Sequence, residues 1–363
     1  MKIVIMHQTV VSHDAIGNDI EAMFSILSKN HECVVFTEYQ LNKRLCYISE
    51  AELEPVLSDE NCLIIYHHST NWEIGENILR KAKGKIIIRY HNITPPEFFQ
   101  PYSSLYYQQC KNGREQTVKF AQEFSKAFWL SDSVFNSKDI PDVEVERIGV
   151  CAPFNKIENW AVGAPDESIL EKLLFGNDVN LLFVGRVAPN KGHLFLLDVL
   201  YKYCLNYDTN ITLRIIGKAD CSLAEYNKKI TDKIKALKLN GYVQFIGEIN
   251  DATLTSYYLG SDFFLCASEH EGFCVPILEA QYFQLPIIAR ASSAVPETIG
   301  NNQVVLGEDV AEYSAAIRLL NKNEKAKQFL RDNGNENYKS RYTYNKTQAV
   351  FKEFLKEKLG VSA

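Results

Sequence analysis

Residues 261–283 read SDFFLCASEHEGFCVPILEAQYF, and this stretch decides the fold. After the polar Ser261-Asp262, residues 263–267 (FFLCA) are apolar without alternation, the mark of a short strand covered on both faces and its exit turn. Pro276 then stands near the first position of a helix, where its missing N–H costs nothing, and the apolar pattern runs on through Ala280 and Phe283. Strand, short loop and helix in that order form the repeating unit of a parallel sheet covered by helices. The stretch also holds two glutamates eight positions apart, Glu271 in the strand-to-helix loop and Glu279 on the first turns of the helix. Gly272, Phe273 and Cys274 follow the first of them, so free backbone N–H groups of a helix N-terminus lie between the two carboxylates. An anion flanked by hydroxyl-bearing groups suits such a place, for example a diphosphate with a sugar on each side.

The same alternation extends outward through the chain. Strand patterns fall at 2–6, 33–37, 62–66, 85–90, 127–129 with 133–135, and 144–148 in the first half. In the second half they fall at 180–184, 212–216, 243–246, 263–266, 286–289 and 303–306. Helical periodicity at 16–29, 73–81, 105–125, 193–205 and 223–237 separates many of them. This predicts an α/β protein with two doubly wound, parallel-sheet, Rossmann-like domains facing a cleft. The break falls between 151 and 180, where CAPFNKIENWAVGAP gathers proline, glycine and polar residues without a period. Domains of 1–155 and 156–342 follow, with an amphipathic helix at 344–359 after the last strand.

A chain of 363 residues is longer than one core usually grows, which agrees with two domains. With 46% apolar and 23% charged residues it has the composition of a soluble globular protein. A net charge of −6 argues against a nucleic-acid partner held by a broad basic surface, so any anion site is local. None of the nine cysteines forms a C-x-x-C pair and many sit in apolar runs, which reads as reduced thiols in a reducing compartment. The N-terminal MKIVIMHQTVV is too short and strand-like for a signal peptide, and no apolar run approaches the ~18 residues of a membrane span. A cytoplasmic protein, soluble or peripheral, is expected.

Chemistry-bearing residues gather at strand ends. The strand at 180–184 runs into Gly185-Arg186-Val187-Ala188-Pro189-Asn190-Lys191-Gly192-His193. Gly185 permits a tight turn, and the cations Arg186 and Lys191 can hold a diphosphate and stabilise it as a leaving group. Taken alone this is equally a solvated basic loop. Glu271 is likewise a surface loop carboxylate when considered singly, and Glu279 a first-turn glutamate favoured by the helix dipole. His91 follows the strand at 85–90 and can hydrogen-bond a substrate hydroxyl. The string His13-Asp14-Ala15-Ile16-Gly17-Asn18-Asp19 is a candidate acceptor-side loop, with helix capping by Asp or Asn as the alternative.

Absences narrow the chemistry. There is no G-x-G-x-x-G, P-loop, G-x-S-x-G or D-x-D. His270-Glu271 begins like a zinc-binding H-E-x-x-H, but Cys274 fills the second histidine position. No metal and no cofactor is therefore expected, and Arg186, Lys191 and helix dipoles take the part a divalent ion plays elsewhere.

On these motifs the chain resembles the family 4 glycosyltransferases of GT-B architecture, retaining enzymes that use nucleotide sugars. Glu271 and Glu279 match the family's E-x7-E pair; Gly185, Arg186, Lys191 and Gly192 match its G-R-x-x-x-x-K-G element. Residues 243–247 with Asp251 look like its F-x-G strand and turn, while DAIGND and YHNITPPEFF resemble bacterial polysaccharide and O-antigen enzymes, several of them mannosyltransferases. The resemblance implies that Arg186 and Lys191 contact the donor diphosphate. It further implies that Glu279 bonds the ribose and Glu271 the transferred sugar. Gly272, Phe273 and Cys274 would offer backbone N–H groups, and His91 would touch the sugar. Asp14-Ala15-Ile16-Gly17-Asn18 departs from the twin-glycine loop common in the family, leaving Gly17 as the donor contact there. The terminal segment 343–363 is expected to return to the first domain.

The expected activity is retaining transfer of a hexose, mannose first, from a GDP- or UDP-linked sugar to a growing glycan or a polyprenyl-diphosphate-linked acceptor. The alternatives are an epimerase or hydrolase on the same frame, or a non-catalytic nucleotide-sugar-binding subunit. Lys111, Arg114, Lys119 and Lys126, with Arg80, Lys81, Lys83 and Lys85, form basic faces that would meet anionic lipid at the inner side of the cytoplasmic membrane. Solvated helix faces are the alternative.

Overall fold

A computed structural model describes residues 1–12, 14–160, 162–176 and 178–363. The chain divides into two compact units. Unit 1 comprises Met1–Pro96, Tyr106–Lys156 and Tyr344–Ala363; unit 2 comprises Glu97–Leu105 and Ile157–Thr343.

The six strands of the unit 1 sheet lie in the order Glu32–Phe36, Lys2–Met6, Leu63–His68, Lys85–Tyr90, Phe128–Ser131 and Ile148–Val150, all parallel. In unit 2 the order is Val243–Gly247, Ile211–Ile216, Val179–Val184, Phe263–Cys266, Ile287–Arg290 and Val304–Leu306, again all parallel. Strand Lys2–Met6, paired on both sides in its sheet, is apolar on both faces: Ile3, Val4, Ile5 and Met6 are fully buried. This is why it reads as an unbroken apolar run. Each sheet reverses direction once, between Lys2–Met6 and Leu63–His68 in unit 1 and between Val179–Val184 and Phe263–Cys266 in unit 2. Loops leaving two adjacent strands on opposite sides of such a reversal open a crevice at the carboxyl ends of the strands.

Two of the expected strands differ. Residues 133–135 form a helix start: the Ser133 hydroxyl accepts the N–H of Asn136 at 3.1 Å, and Val134–Ser137 turns helically. At 144–148 the strand begins only at Ile148, after a 3-10 turn over Val145–Arg147. Val145 is 79% exposed, so its β-branched side chain marks no core position. A helix not expected from periodicity, Glu50–Leu57, starts on a capping box in which Ser49 and Glu52 bond one another reciprocally.

The final helix, Tyr344–Leu359, packs in unit 1, where Phe351 and Leu355 are fully buried in one core with Ile3 and Ile5. Gly149 allows this approach, because a Cβ there would stand 2.5 Å from the Phe354 ring. A contiguous first domain of 1–155 does not capture the segment Glu97–Leu105, which packs in unit 2. There the Tyr102 ring meets Tyr226 edge-on at 5.0 Å, and Lys229 Nζ lies 3.0 Å from the Tyr102 hydroxyl. Among the described residues no helix is long and apolar enough to cross a membrane.

Candidate functional site

The unit 2 reversal brings two loops side by side, Gly185–Gly192 after one strand and Ser268–Cys274 after its neighbour. Gly192 makes the approach feasible. It has φ +74°, and a Cβ there would stand 2.0 Å from the carbonyl oxygen of Ala267. Asn190 fastens the loops together: its side-chain amide donates to His270 O at 3.0 Å, while its own carbonyl accepts from the N–H groups of Glu269 and His270 at 2.8 and 3.3 Å. Lys191, closing the turn Pro189–Lys191, is thereby carried to Glu271, with Nζ 2.6 Å from Oε1. Ser268 donates to the same oxygen at 2.7 Å, and the backbone N–H of Glu271 donates to Ser293 Oγ at 2.7 Å. Burial works against the Lys191 ammonium, but the Glu271 carboxylate more than offsets it, and the lysine pKa rises above its ordinary value. It is a fixed cation.

Beyond Glu271, Cys274 takes φ +75° and caps Val275–Tyr282, with Pro276 in the first turn and no capping hydrogen bond from the Cys274 side chain. Contact with the Cys266 sulfur at 3.8 Å, together with burial, holds the Cys274 thiol well above its usual range. Phe273 is buried and packs edge-on to Tyr342 at 5.5 Å, so only its backbone is on offer. Glu279 is half-buried and accepts a hydrogen bond from the Tyr258 hydroxyl. Burial raises its pKa to about 7; the Tyr258 bond pulls the other way, and Asp251 adds a further rise.

Arg186 is exposed at the mouth of the first loop. Gly185 at the strand end is laced into a third loop: Gly185 N donates to Ile216 O and Val187 N to Lys218 O, both at 2.9 Å. A Cβ on Gly217 would stand 2.2 Å from Gly185 O. Gly185, Arg186, Lys191, Glu271, Gly272, Phe273, Cys274 and Glu279 thus all lie on the two loops and the helix turns that follow them. Asn190, Gly217, Tyr258, Ser268 and Ser293 support them and were not anticipated. Gly217 alone left a signal, since it follows its strand as Gly185 follows its own.

His91 and Gly17 belong to unit 1. A Cβ on Gly17 would stand 1.7 Å from Val11 O, and its N–H donates to Asp14 Oδ1 at 2.5 Å. The geometry therefore shows helix capping by Asp14, with Gly17 required sterically. His13 of the same string lies outside the described residues. His91 Nδ1 lies 3.1 Å from Asp132 Oδ2, and its Nε2 lies 2.8 Å from His67 Nδ1. Both ring nitrogens are thus engaged, and a hydroxyl reaches His91 only by displacing one partner. Beneath it the fully buried Arg89 pairs with Asp19 and Asp132, each at 2.8 Å. Burial pushes His7 down to about 4, His68 to about 3 and His67 well below the ordinary value, so these three are neutral at pH 7.

Asp19, His67 and His91 present donor atoms within 4.8 Å of one another, close enough to consider a metal. However, 2.8 Å between the histidine nitrogens is a hydrogen-bond separation. Two nitrogens on a tetrahedral ion with bonds of 2.0–2.1 Å would stand roughly 3.3 Å apart. Arg89 already holds the Asp19 oxygen, so hydrogen bonds and charges close the cluster among protein groups.

The expected basic faces are largely neutralised. Arg80 pairs with Glu76 and Glu123, Lys81 with Glu54, Lys111 with Glu115, Arg114 with Asp139 and Lys119 with Glu76. Lys85 donates to Leu359 O at 2.7 Å.

Residues 166–337 match the family described as glycosyl transferases group 1. A lipopolysaccharide 1,2-N-acetylglucosaminetransferase of Salmonella typhimurium is 23% identical over 277 residues, 74% of this chain and 64% of that protein. The capsular polysaccharide biosynthesis glycosyltransferase CapH of Staphylococcus aureus is 25% identical over 200 residues, 54% of each chain. The chain thus spans between about half and just under two thirds of these relatives' length. Anabaena HepE, solved in complex with UDP and glucose, shares the fold with a TM-score of 0.76 at 17% identity, over 98% of this chain and 99% of its own. The frame is GT-B, and residues 166–337 within it are similar to the group 1 glycosyl transferases.

Proposed function

We infer that this chain is a retaining glycosyltransferase, moving a hexose from a UDP- or GDP-linked sugar to a growing cell-surface glycan or lipid-linked oligosaccharide. Mannose is the first candidate sugar. The observation that carries this is the Lys191–Glu271 pair at the strand reversal of unit 2, with the first helix turn and Glu279 following directly. A cation, a helix N-terminus and two carboxylates there match a diphosphate with hydroxyl-bearing groups on both sides. The match of residues 166–337 and the polysaccharide-building relatives support the same assignment.

In the proposed reaction the bond from the sugar's anomeric carbon to the diphosphate oxygen breaks, and a bond to the acceptor hydroxyl forms on the same face. The acceptor proton passes to the departing phosphate oxygen. Lys191 keeps two N–H groups beyond the one given to Glu271, and with Arg186 it stabilises the charge growing on the diphosphate. Glu271 orients the sugar's hydroxyls, and Glu279 accepts from the ribose. No metal is needed in this scheme.

Incubating the purified chain with labelled UDP- and GDP-hexoses and a panel of glycan and polyprenyl-diphosphate-linked acceptors tests it. Transfer with retained configuration is expected. Free sugar or an epimer formed without acceptor would replace transfer by hydrolysis or epimerisation, and nucleotide-sugar binding without turnover would make the chain a binding subunit.

A further inference from the structure

The geometry points to Tyr258 as the positioning residue for Glu279: an aromatic stack aims its hydroxyl so that the carboxylate is set to accept both hydroxyls of a ribose diol. The inference rests on the function proposed above. Tyr258 lies on Asp251–Gly260 and Glu279 on Val275–Tyr282, so two separate helices must meet to make the bond. Tyr258 is buried, and its ring lies parallel to Phe283 at 5.4 Å with a 13° tilt. Trp160 at 6.5 Å and Phe264 at 6.2 Å lean on it at 40° and 34°. Rings on several sides hold the phenol in one orientation, and a buried phenolic O–H requires an acceptor, which Glu279 Oε2 supplies.

Among the described residues, Asp251 and Tyr258 from the neighbouring helix act on this carboxylate, and Cys274 from its own loop acts on the Tyr258 hydroxyl. None is a cation. The Tyr258 hydroxyl is the contact that favours the charged form, while burial and Asp251 oppose it. With Oε2 tethered, Oε1 and the remaining lone pair of Oε2 are left in fixed directions for two vicinal hydroxyls. A protonated carboxyl would lose one of these acceptors. Tyr258 therefore serves both orientation and charge.

The test is the affinity of UDP and GDP, alongside dUDP and dGDP, measured by calorimetry from pH 6 to 9 on the full chain. Wild type, Tyr258→Phe, Glu279→Ala and the double variant are compared. Phenylalanine keeps the stack and removes only the hydroxyl. Tyr258→Phe is expected to weaken the better-bound ribonucleotide about tenfold at pH 7, as loss of a bond to a charged group does. The loss should shrink toward pH 9 and be smaller for the deoxynucleotide, which keeps only the 3′-hydroxyl of the diol. In the Glu279→Ala background it should do nothing further. Equal losses for ribo- and deoxynucleotide at every pH, or losses that add to those of Glu279→Ala, would overturn the role. If wild type prefers ribonucleotides and Tyr258→Phe keeps that preference, this inference alone fails. If wild type binds no nucleoside diphosphate, the proposed function fails with it.

Discussion

Lys191 and Glu271 are 80 positions apart, yet Lys191 Nζ stands 2.6 Å from Glu271 Oε1, because the strands before them are neighbours at the sheet reversal. The pair pre-forms the electrostatics of the candidate site: the carboxylate keeps the partly buried ammonium charged, and the ammonium stays within reach of an anion.

Removing the cation should therefore act on turnover. Lys191→Ala is expected to lower kcat by about 10² or more, the scale of a lost electrostatic donor. Glu271→Gln should also lower it, and the double variant should lose less than the product of the two, since they act as a unit. Steady-state kinetics with the donor varied checks this; undiminished kcat in Lys191→Ala would remove the lysine from the chemistry.

Glu279 makes stability depend on pH. Its pKa of about 7 lies above the ordinary carboxylate value, so the folded chain binds a proton more readily than the unfolded one. Its contribution is accordingly most favourable at low pH and is lost as pH rises from the ordinary carboxylate range through about 7. Glu279→Gln, which cannot ionise, should raise Tm at pH 8 and change it little at pH 4. Thermal melts at the two pH values, without ligand, decide it.

Glycines separate steric need from backbone need. Gly192→Ala combines φ +74° with a Cβ placed 2.0 Å from Ala267 O and should cost more than about 3 kcal/mol, through strain and a backbone shift. Gly247 has φ +81° with nothing within 4 Å, and Gly247→Ala should cost only about 1–2 kcal/mol. Urea titrations of both variants provide the comparison, and equal costs would mean that the close approach at Gly192 is unimportant.

In unit 1, Asp19→Ala would leave Arg89 buried with only Asp132 as its ion-pair partner. A loss of about 3–5 kcal/mol is expected, as for a broken buried pair, read from denaturant unfolding. Burial pushes the Asp132 carboxyl up, but Arg89 and His91 more than offset it, leaving its pKa below the ordinary value. That stabilisation is present above the usual carboxylate range and fades as pH falls through the lowered value.

Much of the architecture was legible from local pattern. Strands such as Lys2–Met6 and Val179–Val184 are buried on both faces, so their unbroken apolar runs carry the signal themselves. Where side chains are exposed or capping competes, as at Val145 and Ser133, apolar or β-branched character misleads. Glu97–Leu105 gives no local sign that it packs in unit 2, because ring contacts such as Tyr102 with Tyr226 depend on residues more than a hundred positions away.

The residues alone determined the alternation of strand and helix, the two parallel sheets, and the placing of Gly185, Arg186, Lys191, Glu271 and Glu279 after strands. Each of these follows from short-range periodicity and turn chemistry. Tertiary structure decided which loops become neighbours, that Lys191 is already paired with Glu271, and that both nitrogens of His91 are occupied. It also set Tyr258 against Glu279, a pairing that SEHEGFCVPILEA by itself does not contain. Those facts depend on strand order and on packing across helices, which bring together side chains that no local spacing relates.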